Sequence, residues 1–171
     1  MPAKKISIDE AKKDKLFYFV TNVLVYKDGK CLILKRHERE KVHPGKWGTP
    51  GGKLEWDDFP LKPDGEVYND VWQFHKAVED LCRREVREEA GLEIGDEFAY
   101  IDSTVFVRPD GIPVVLIKLG CKYKGGEVKL EEDAFTDYAW VDAEEIKKYD
   151  CVINVPEEIA KTIKLFGKYH G

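Results

Sequence analysis

The sequence predicts a single domain of the α+β or α/β class. Strand-like and helix-like segments follow one another in the order β-hairpin, glycine-rich loop, helix, further strands and helix. A chain of 171 residues suits one core of ordinary size, and no internal repeat or low-complexity linker divides it. We therefore expect one domain over residues 16–171, preceded by a polar, lysine-rich N-terminal arm of residues 1–15.

The first predicted elements are two strands joined by a tight turn. Two β-rich runs flank Lys27-Asp28-Gly29-Lys30, and Asp-Gly between apolar runs is a strong hairpin signal. Residues 39–55 follow with four glycines and two prolines, a composition that predicts a loop with special backbone angles.

A long helix is predicted next. Residues 56–75 mix acids with aromatic side chains, and Asn69 or Asp70 is a suitable N-cap for a helix that runs to Ala90 and stops at Gly91. Beyond it, two apolar runs flank the turn Arg108-Pro109-Asp110-Gly111 and predict a second hairpin. The remaining predictions are a short strand near Val128, a strand over residues 137–141, and helices over residues 142–149 and 155–170.

Composition and charge restrict the function. A formal net charge of −5 argues against a polyanion held by bulk electrostatics, so we expect no nucleic acid polymer, and a phosphorylated substrate would need a bound cation. The four cysteines form no Cys-x-x-Cys pair, which disfavours a zinc or dithiol site. No segment resembles a signal peptide or a membrane span, so we expect free thiols, no membrane partner and a cytoplasmic location.

Three glutamates of the long helix adjoin its apolar face. At about 100° per residue, Glu85, Glu88 and Glu89 fall in one arc that continues from Val78 and Leu81. Like charges three and four residues apart repel, and partial burial increases that cost. Hard divalent cations prefer carboxylate oxygens and commonly share them with substrate phosphates. The arc therefore predicts a site for Mg²⁺ or Mn²⁺.

The residues around this helix resemble a known motif. "PGGKLE" at residues 50–55 followed by "REVREEAGL" at residues 84–92 resembles the Nudix box, Gly-x5-Glu-x7-Arg-Glu-U-x-Glu-Glu-x-Gly-U, where U is aliphatic. The second half matches at every fixed position, namely Arg84, Glu85, Val86, Glu88, Glu89, Gly91 and Leu92.

The resemblance to the Nudix (MutT-like) hydrolases implies an α/β fold with a mixed β-sheet between α-helices, and hydrolysis of a diphosphate linkage. It also implies that Glu85, Glu88 and Glu89 hold Mg²⁺ or Mn²⁺, and that one of them or a glutamate of a later loop activates water. The carbonyl of Gly51 corresponds to a backbone metal ligand, and Lys53 lies where a phosphate contact is expected.

The match departs from the pattern in two respects. Lys76 occupies the position of the first box glutamate, eight residues before Arg84, and about 18 residues are inserted within the box. Glu55 or Glu66 is a candidate replacement for the missing acid. The insertion, at about residues 56–75, is interpreted either as a lid or dimer contact or as a loop packed on its own domain.

Further candidates lie outside the box. Glu132 is our choice for the additional catalytic glutamate, with an exposed acidic loop as the alternative. Arg36 is a candidate phosphate or base contact, although a solvated strand end also explains it. Trp47 is a candidate for stacking on a base, with a buried core tryptophan as the alternative.

The expected function is metal-dependent hydrolysis of a nucleoside diphosphate or triphosphate derivative by a monomer or homodimer. ADP-ribose, nucleoside triphosphates, dinucleoside polyphosphates and nucleotide sugars remain open as substrates. Two alternatives use the same fold: a non-catalytic nucleotide sensor, and an isomerase of isoprenoid diphosphates. Retention of all three acids in the second half of the box favours the hydrolase.

Overall fold

A computed structural model describes residues 16–55, 58, 66–69 and 71–168. The N-terminal arm and much of the insertion, both predicted from sequence, lie outside the described residues. The strands are β1 (Tyr18–Lys27), β2 (Lys30–Arg36), β3 (Trp47–Gly48), β4 (Gly51–Lys53), β5 (Glu66–Tyr68), β6 (Val71–Gln73), β7 (Glu93–Val107), β8 (Pro113–Gly125) and β9 (Phe135–Val141). The helices are α1 (Ala77–Ala90), α2 (Val155–Gly167) and a 3-10 helix (Glu145–Lys148).

The main sheet is mixed and has β1 at its centre. Its strand order is β3-β2-β1-β8-β7, with β4 also paired to β1 and β9 to β2. β1 and β8 are parallel, whereas the other pairs are antiparallel. β2 pairs with the C-terminal end of β1 and β4 with its N-terminal half, so the glycine-rich β4 is hydrogen-bonded beside residues 20–22.

Alternating side chains of the strands supply two separate cores. Because successive strand residues point to opposite faces, Val23, Leu32 and Leu34 pack under α1, whereas Leu24 and Ile33 pack under α2. α1 contributes Cys82, Val86 and Ala90 to its core, and α2 contributes Val155, Ile159 and Phe166. The sheet is thus enclosed between helices, and the predicted fold class is confirmed.

The start of the long helix was predicted wrongly. β5 and β6 form a small antiparallel hairpin, and α1 begins only at Ala77. Asn69 lies in the turn of this hairpin at φ 47°, a conformation that asparagine adopts more readily than most residues. Asn69 therefore forms part of the turn between two strands and does not cap a helix. The predicted stop at Gly91 is confirmed, with φ 68° and its N–H donated to the Arg87 carbonyl at 2.9 Å.

The later elements agree with the predictions except in two places. Both hairpins, the strand that contains residues 137–141 and the C-terminal helix are present. Val128 lies in a loop instead of a strand, because the backbone N–H groups of Lys129 and Glu131 bond to carbonyls at the end of α1. Residues 142–149 contain only the short 3-10 helix. None of the described helices is long and apolar enough to cross a membrane.

Candidate active site

The glycines of β4 lie directly against two glutamates of α1. The backbone N–H of Gly51 donates to Glu89 Oε2 at 2.9 Å. A Cβ atom at Gly52 would overlap the carboxylate of Glu85, so the close approach of strand and helix depends on the absence of a side chain there. The two halves of the motif, 33 residues apart in sequence, therefore meet at one place.

The three glutamates differ in exposure. Glu85 is only 8% exposed, Glu89 is half-buried, and Glu88 is exposed with 55% of its side-chain area accessible. The helical arc predicted from sequence thus runs from the edge of the apolar core outward to solvent. Two of its carboxylates face the protein interior next to the glycines, and the third lies at the rim.

Burial gives the two inner carboxylates unusual proton affinities. Desolvation raises the pKa of Glu85 to about 7, although the neighbouring Arg84 opposes the shift. Desolvation likewise raises the pKa of Glu89 to about 8, opposed by the Gly51 N–H and by the charge of Arg36. The negative charge of Glu131 contributes to both upward shifts. Carboxylates crowded in this way favour a cation as a partner.

Arg84 holds several of these acids together. Its guanidinium lies 2.9 Å from Glu85, 3.1 Å from Glu88 and 3.0 Å from Asp58. It also donates to the carbonyl of Lys53 at 3.2 Å, which ties α1 to β4. A planar group with five donors is suited to such a junction.

Asp58 is an acid of the site that the sequence interpretation missed. It pairs with Arg84 and accepts a hydrogen bond from the Glu55 backbone N–H at 2.8 Å. Of the two proposed replacements for the missing box acid, Glu66 lies 3.8 Å from His75, and Glu55 is exposed and contacts Asp58 through its backbone N–H. Lys76 is exposed in front of α1 at φ 58°. Spacing within an insertion gave no signal that could have identified Asp58.

The later acidic loop presents Glu131 to the site. The Glu131 backbone N–H donates to the Glu89 carbonyl at 3.2 Å, and its charge acts on both inner glutamates. Glu132, the residue chosen from sequence, is exposed in the next turn, and no contact between it and these glutamates is present among the described residues. The sequence singled out this loop and chose Glu132 within it, whereas the structure places the charge of Glu131 near the inner glutamates.

Of the three predicted substrate contacts, Arg36 has a side chain whose charge reaches an inner glutamate, whereas Lys53 meets the site through its backbone carbonyl. Arg36 bonds to Glu40 and to the Val42 carbonyl, and its charge reaches Glu89. Lys53 is exposed, with Nζ 5.8 Å from the centre of the Tyr18 ring.

Trp47 lies on the other face of the sheet. It is half-buried and packs edge-on against Tyr149 at 4.8 Å, at the edge of the core under α2. Because Trp47 pairs with Lys35 and thus shares the face of Ile33, it points away from α1. This environment favours the interpretation as a core tryptophan.

The donor set fits a hard divalent cation. The Gly51 N–H points toward Glu89, and in a strand the carbonyl of the same residue points to the same side, so its oxygen also faces the glutamates. Carboxylate and carbonyl oxygens are the preferred ligands of Mg²⁺. Within the described residues, no three acidic, histidine or cysteine side chains converge in ligating positions. Arg84 pairs with Glu85 and Glu88, and the Gly51 N–H bonds to Glu89.

Comparison with known proteins agrees with this geometry. The NUDIX domain family model matches residues 19–161. Nucleoside triphosphatase NudI from Shigella flexneri and from Escherichia coli (strain 55989) is 30% identical over 157 residues, covering 84% of this chain and 92% of the relative.

Solved structures show the same fold at lower identity. A MutT NUDIX hydrolase from Burkholderia pseudomallei has a TM-score of 0.64 at 19% identity, covering 86% of this chain and 98% of that one. The NUDIX domain of Shewanella oneidensis NrtR, crystallised with ADP ribose, has a TM-score of 0.63 at 12% identity, covering 94% and 99%. Taken with the family match and the NudI identity, the paired strand and helix assign this chain to the Nudix hydrolase family, whose enzymes cleave phosphoric anhydride bonds.

Proposed function

We propose that this protein is a Mg²⁺- or Mn²⁺-dependent hydrolase of a nucleoside triphosphate or a related nucleoside diphosphate derivative. The observation that carries the proposal is the pair of inner carboxylates, buried Glu85 and half-buried Glu89, held against the glycines of β4. The name of the NudI relatives supports a nucleoside triphosphate as the first substrate to test.

Glu85, Glu88, Glu89 and the Gly51 carbonyl are the groups that would hold the cation. When bound, the cation supplies Lewis-acid polarisation of the phosphates and lowers the pKa of water. The chain's own groups contribute position and charge. Arg84 pairs with Glu85 and Glu88, and the Gly51 N–H anchors Glu89, so the three carboxylates are kept close to one another beside β4.

Proton transfer from the attacking water requires a base near the inner glutamates. Within the acidic arc, Glu89 is one candidate for this base, since the Gly51 N–H holds its carboxylate near Glu85. Glu131 is the other acid near this position. The charge of Arg36 reaches Glu89, and the Lys53 backbone carbonyl bonds to Arg84, so the positive charges of these two side chains would attract the substrate phosphates.

A nucleotide panel tests the proposal. Nucleoside triphosphates, ADP-ribose, dinucleoside polyphosphates and nucleotide sugars would be incubated with Mg²⁺, with Mn²⁺ and with chelator, and phosphate and diphosphate release would be followed. We expect metal-dependent turnover that is lost in Glu89→Gln and Glu88→Gln. Glu79→Gln is a control on the same helix, outside the acidic arc. Tight nucleotide binding without turnover of any compound would instead identify a sensor.

A further inference from the structure

A row of four paired residues connects β4 with the far edge of the sheet. Asp102 of β7 pairs with Lys118 of β8, Lys118 with Asn22 of β1, and Asn22 with Gly51 of β4. Side chains of directly paired residues share one face, and here that face is covered by α2. Polar side chains therefore cross a region that is otherwise apolar.

The centre of this row contains a buried ion pair. Lys118 is 5% exposed and Glu158 of α2 is 4% exposed, and Lys118 Nζ donates to Glu158 Oε1. The second carboxylate oxygen, Oε2, is buried without a donor among the described residues. Buried ion pairs are stable only when their remaining hydrogen-bonding groups are satisfied, so this pair has capacity for an additional polar partner.

Glu158 also lines a pocket between α2 and β7. The pocket has a volume of about 300 Å³, which lies at the lower end of the range for small-molecule sites. Asp102 and Asn154 form part of its wall. Glu158, which carries the unpartnered oxygen, is thus part of the wall of a space large enough for a ring.

The next positions along the strands are apolar and only partly covered. Val20 of β1 pairs with Leu116 of β8 on the same face, and both are half-buried. Farther out, Tyr18 is exposed, with Lys53 and Arg108 5.8 Å and 5.9 Å from the centre of its ring. An apolar floor with a polar end and a cationic rim matches a flat, polar ring joined to phosphates.

We propose that Lys118 and Glu158 recognise the edge of the substrate base, and that they select a lactam edge, O=C–N–H, as in uracil, thymine and guanine. This inference rests on the proposed function. The ammonium group has three donors, one of which bonds to Glu158 Oε1. The pair therefore offers two N–H donors and one acceptor oxygen. A lactam edge offers the complementary set, a carbonyl oxygen with two lone pairs beside a single N–H.

The distance between the Lys118–Glu158 pair and β4 allows one nucleotide to contact both. Lys118 and Gly51 are separated by two strand spacings, about 10 Å. The base would lie at Lys118 and Glu158 on the face of α2, and the phosphates would lie at β4 beside the glutamates of α1. Asn22 stands between them in the row, on the same face.

Base analogues test this proposal on the unmodified protein. Turnover of UTP would be compared with that of N3-methyl-UTP, which replaces the N–H by a methyl group, and with that of 5-methyl-UTP, which adds the same bulk elsewhere. We expect kcat/KM to fall at least about ten-fold for the N3-methyl compound, because Glu158 Oε2 loses its donor. The 5-methyl compound should remain close to UTP. GTP and N1-methyl-GTP provide the same comparison for a purine.

The variant Glu158→Gln identifies the group responsible. Its discrimination between UTP and N3-methyl-UTP should shrink to within about two-fold, since a neutral amide oxygen accepts more weakly than a carboxylate. Its turnover of N3-methyl-UTP shows that the variant is folded and competent. Glu97→Gln, on the exposed side of β7, is the control. Equal turnover of methylated and unmethylated bases by the unmodified protein would overturn the inference and leave the proposed hydrolase intact.

Discussion

Gly52→Ala is the sharpest perturbation of the candidate active site. A Cβ at Gly52 would fall well inside contact distance of all three carboxylate atoms of Glu85, whereas ordinary carbon contacts lie at about 3.5–4.0 Å. The backbone at Gly52 is an ordinary strand, so alanine causes no conformational strain. The Glu85 carboxylate therefore has to move by about 1 Å, and displacements of this size cost on the order of a hundred-fold in rate.

The effects of Gly52→Ala on activity and on stability can be measured separately. We expect kcat/KM to fall about a hundred-fold, equivalent to about 2.7 kcal/mol of transition-state stabilisation. The free energy of unfolding should change by only about 1 kcal/mol, because alanine restricts the unfolded chain and the carboxylate can rotate toward solvent. Gly125→Ala is the matched control, since its Cβ would meet no atom within 4 Å.

The assay is metal-dependent nucleotide hydrolysis, measured together with urea unfolding of both variants. A Gly52→Ala protein with normal kcat/KM would refute the argument that the Glu85 carboxylate must occupy this position. A Gly125→Ala protein with the same loss of activity would show that glycine replacement harms the fold in general.

Three further predictions follow from the same contacts. Because the pKa of Glu89 rises from 4.5 to about 8 on folding, its contribution to the stability of the metal-free protein should be complete below about pH 4.5 and should fall as the pH rises to 8, by up to about 1.4 kcal/mol per pH unit. Urea unfolding in chelator at pH 5 and pH 8 checks this, and Glu89→Gln should flatten the profile. Asp58→Asn should lower kcat about ten-fold with little change in KM, because Arg84 loses a charged partner that helps to position Glu85; kinetics identical to those of the unmodified protein would exclude the role. Trp47→Phe should lower the unfolding free energy by about 1–3 kcal/mol and leave the relative kcat/KM for different bases unchanged, since Trp47 packs against Tyr149 in the core. A change of base preference in Trp47→Phe would contradict this interpretation and indicate that Trp47 contacts the base.

The parts of the fold that were predictable carry strong local signals. Asp28-Gly29 dictates a tight hairpin, and both residues adopt positive φ. Gly91 ends α1 because its left-handed conformation suits glycine. The acidic arc was predictable for a similar reason, since helical periodicity alone places Glu85 and Glu89 next to the apolar face.

The parts that could not be predicted depend on contacts between distant segments. Asn69 has the chemistry of a helix cap, but the pairing of β5 with β6 places it in a strand turn. Asp58 joins the site only because the insertion brings it to Arg84. The position of Glu131 near the inner glutamates depends on a backbone hydrogen bond to the end of α1, which no spacing rule specifies.

Binding of Mn²⁺ to the protein, followed by electron paramagnetic resonance, tests the central claim most directly. Loss of a group that only supports a metal ligand costs about ten-fold in affinity, so loss of a ligand should cost at least as much. The account predicts saturable binding by the unmodified protein, at least ten-fold weaker binding by Glu85→Gln and Glu89→Gln, and unchanged binding by Glu79→Gln. Equal Mn²⁺ affinity in all four proteins would contradict it.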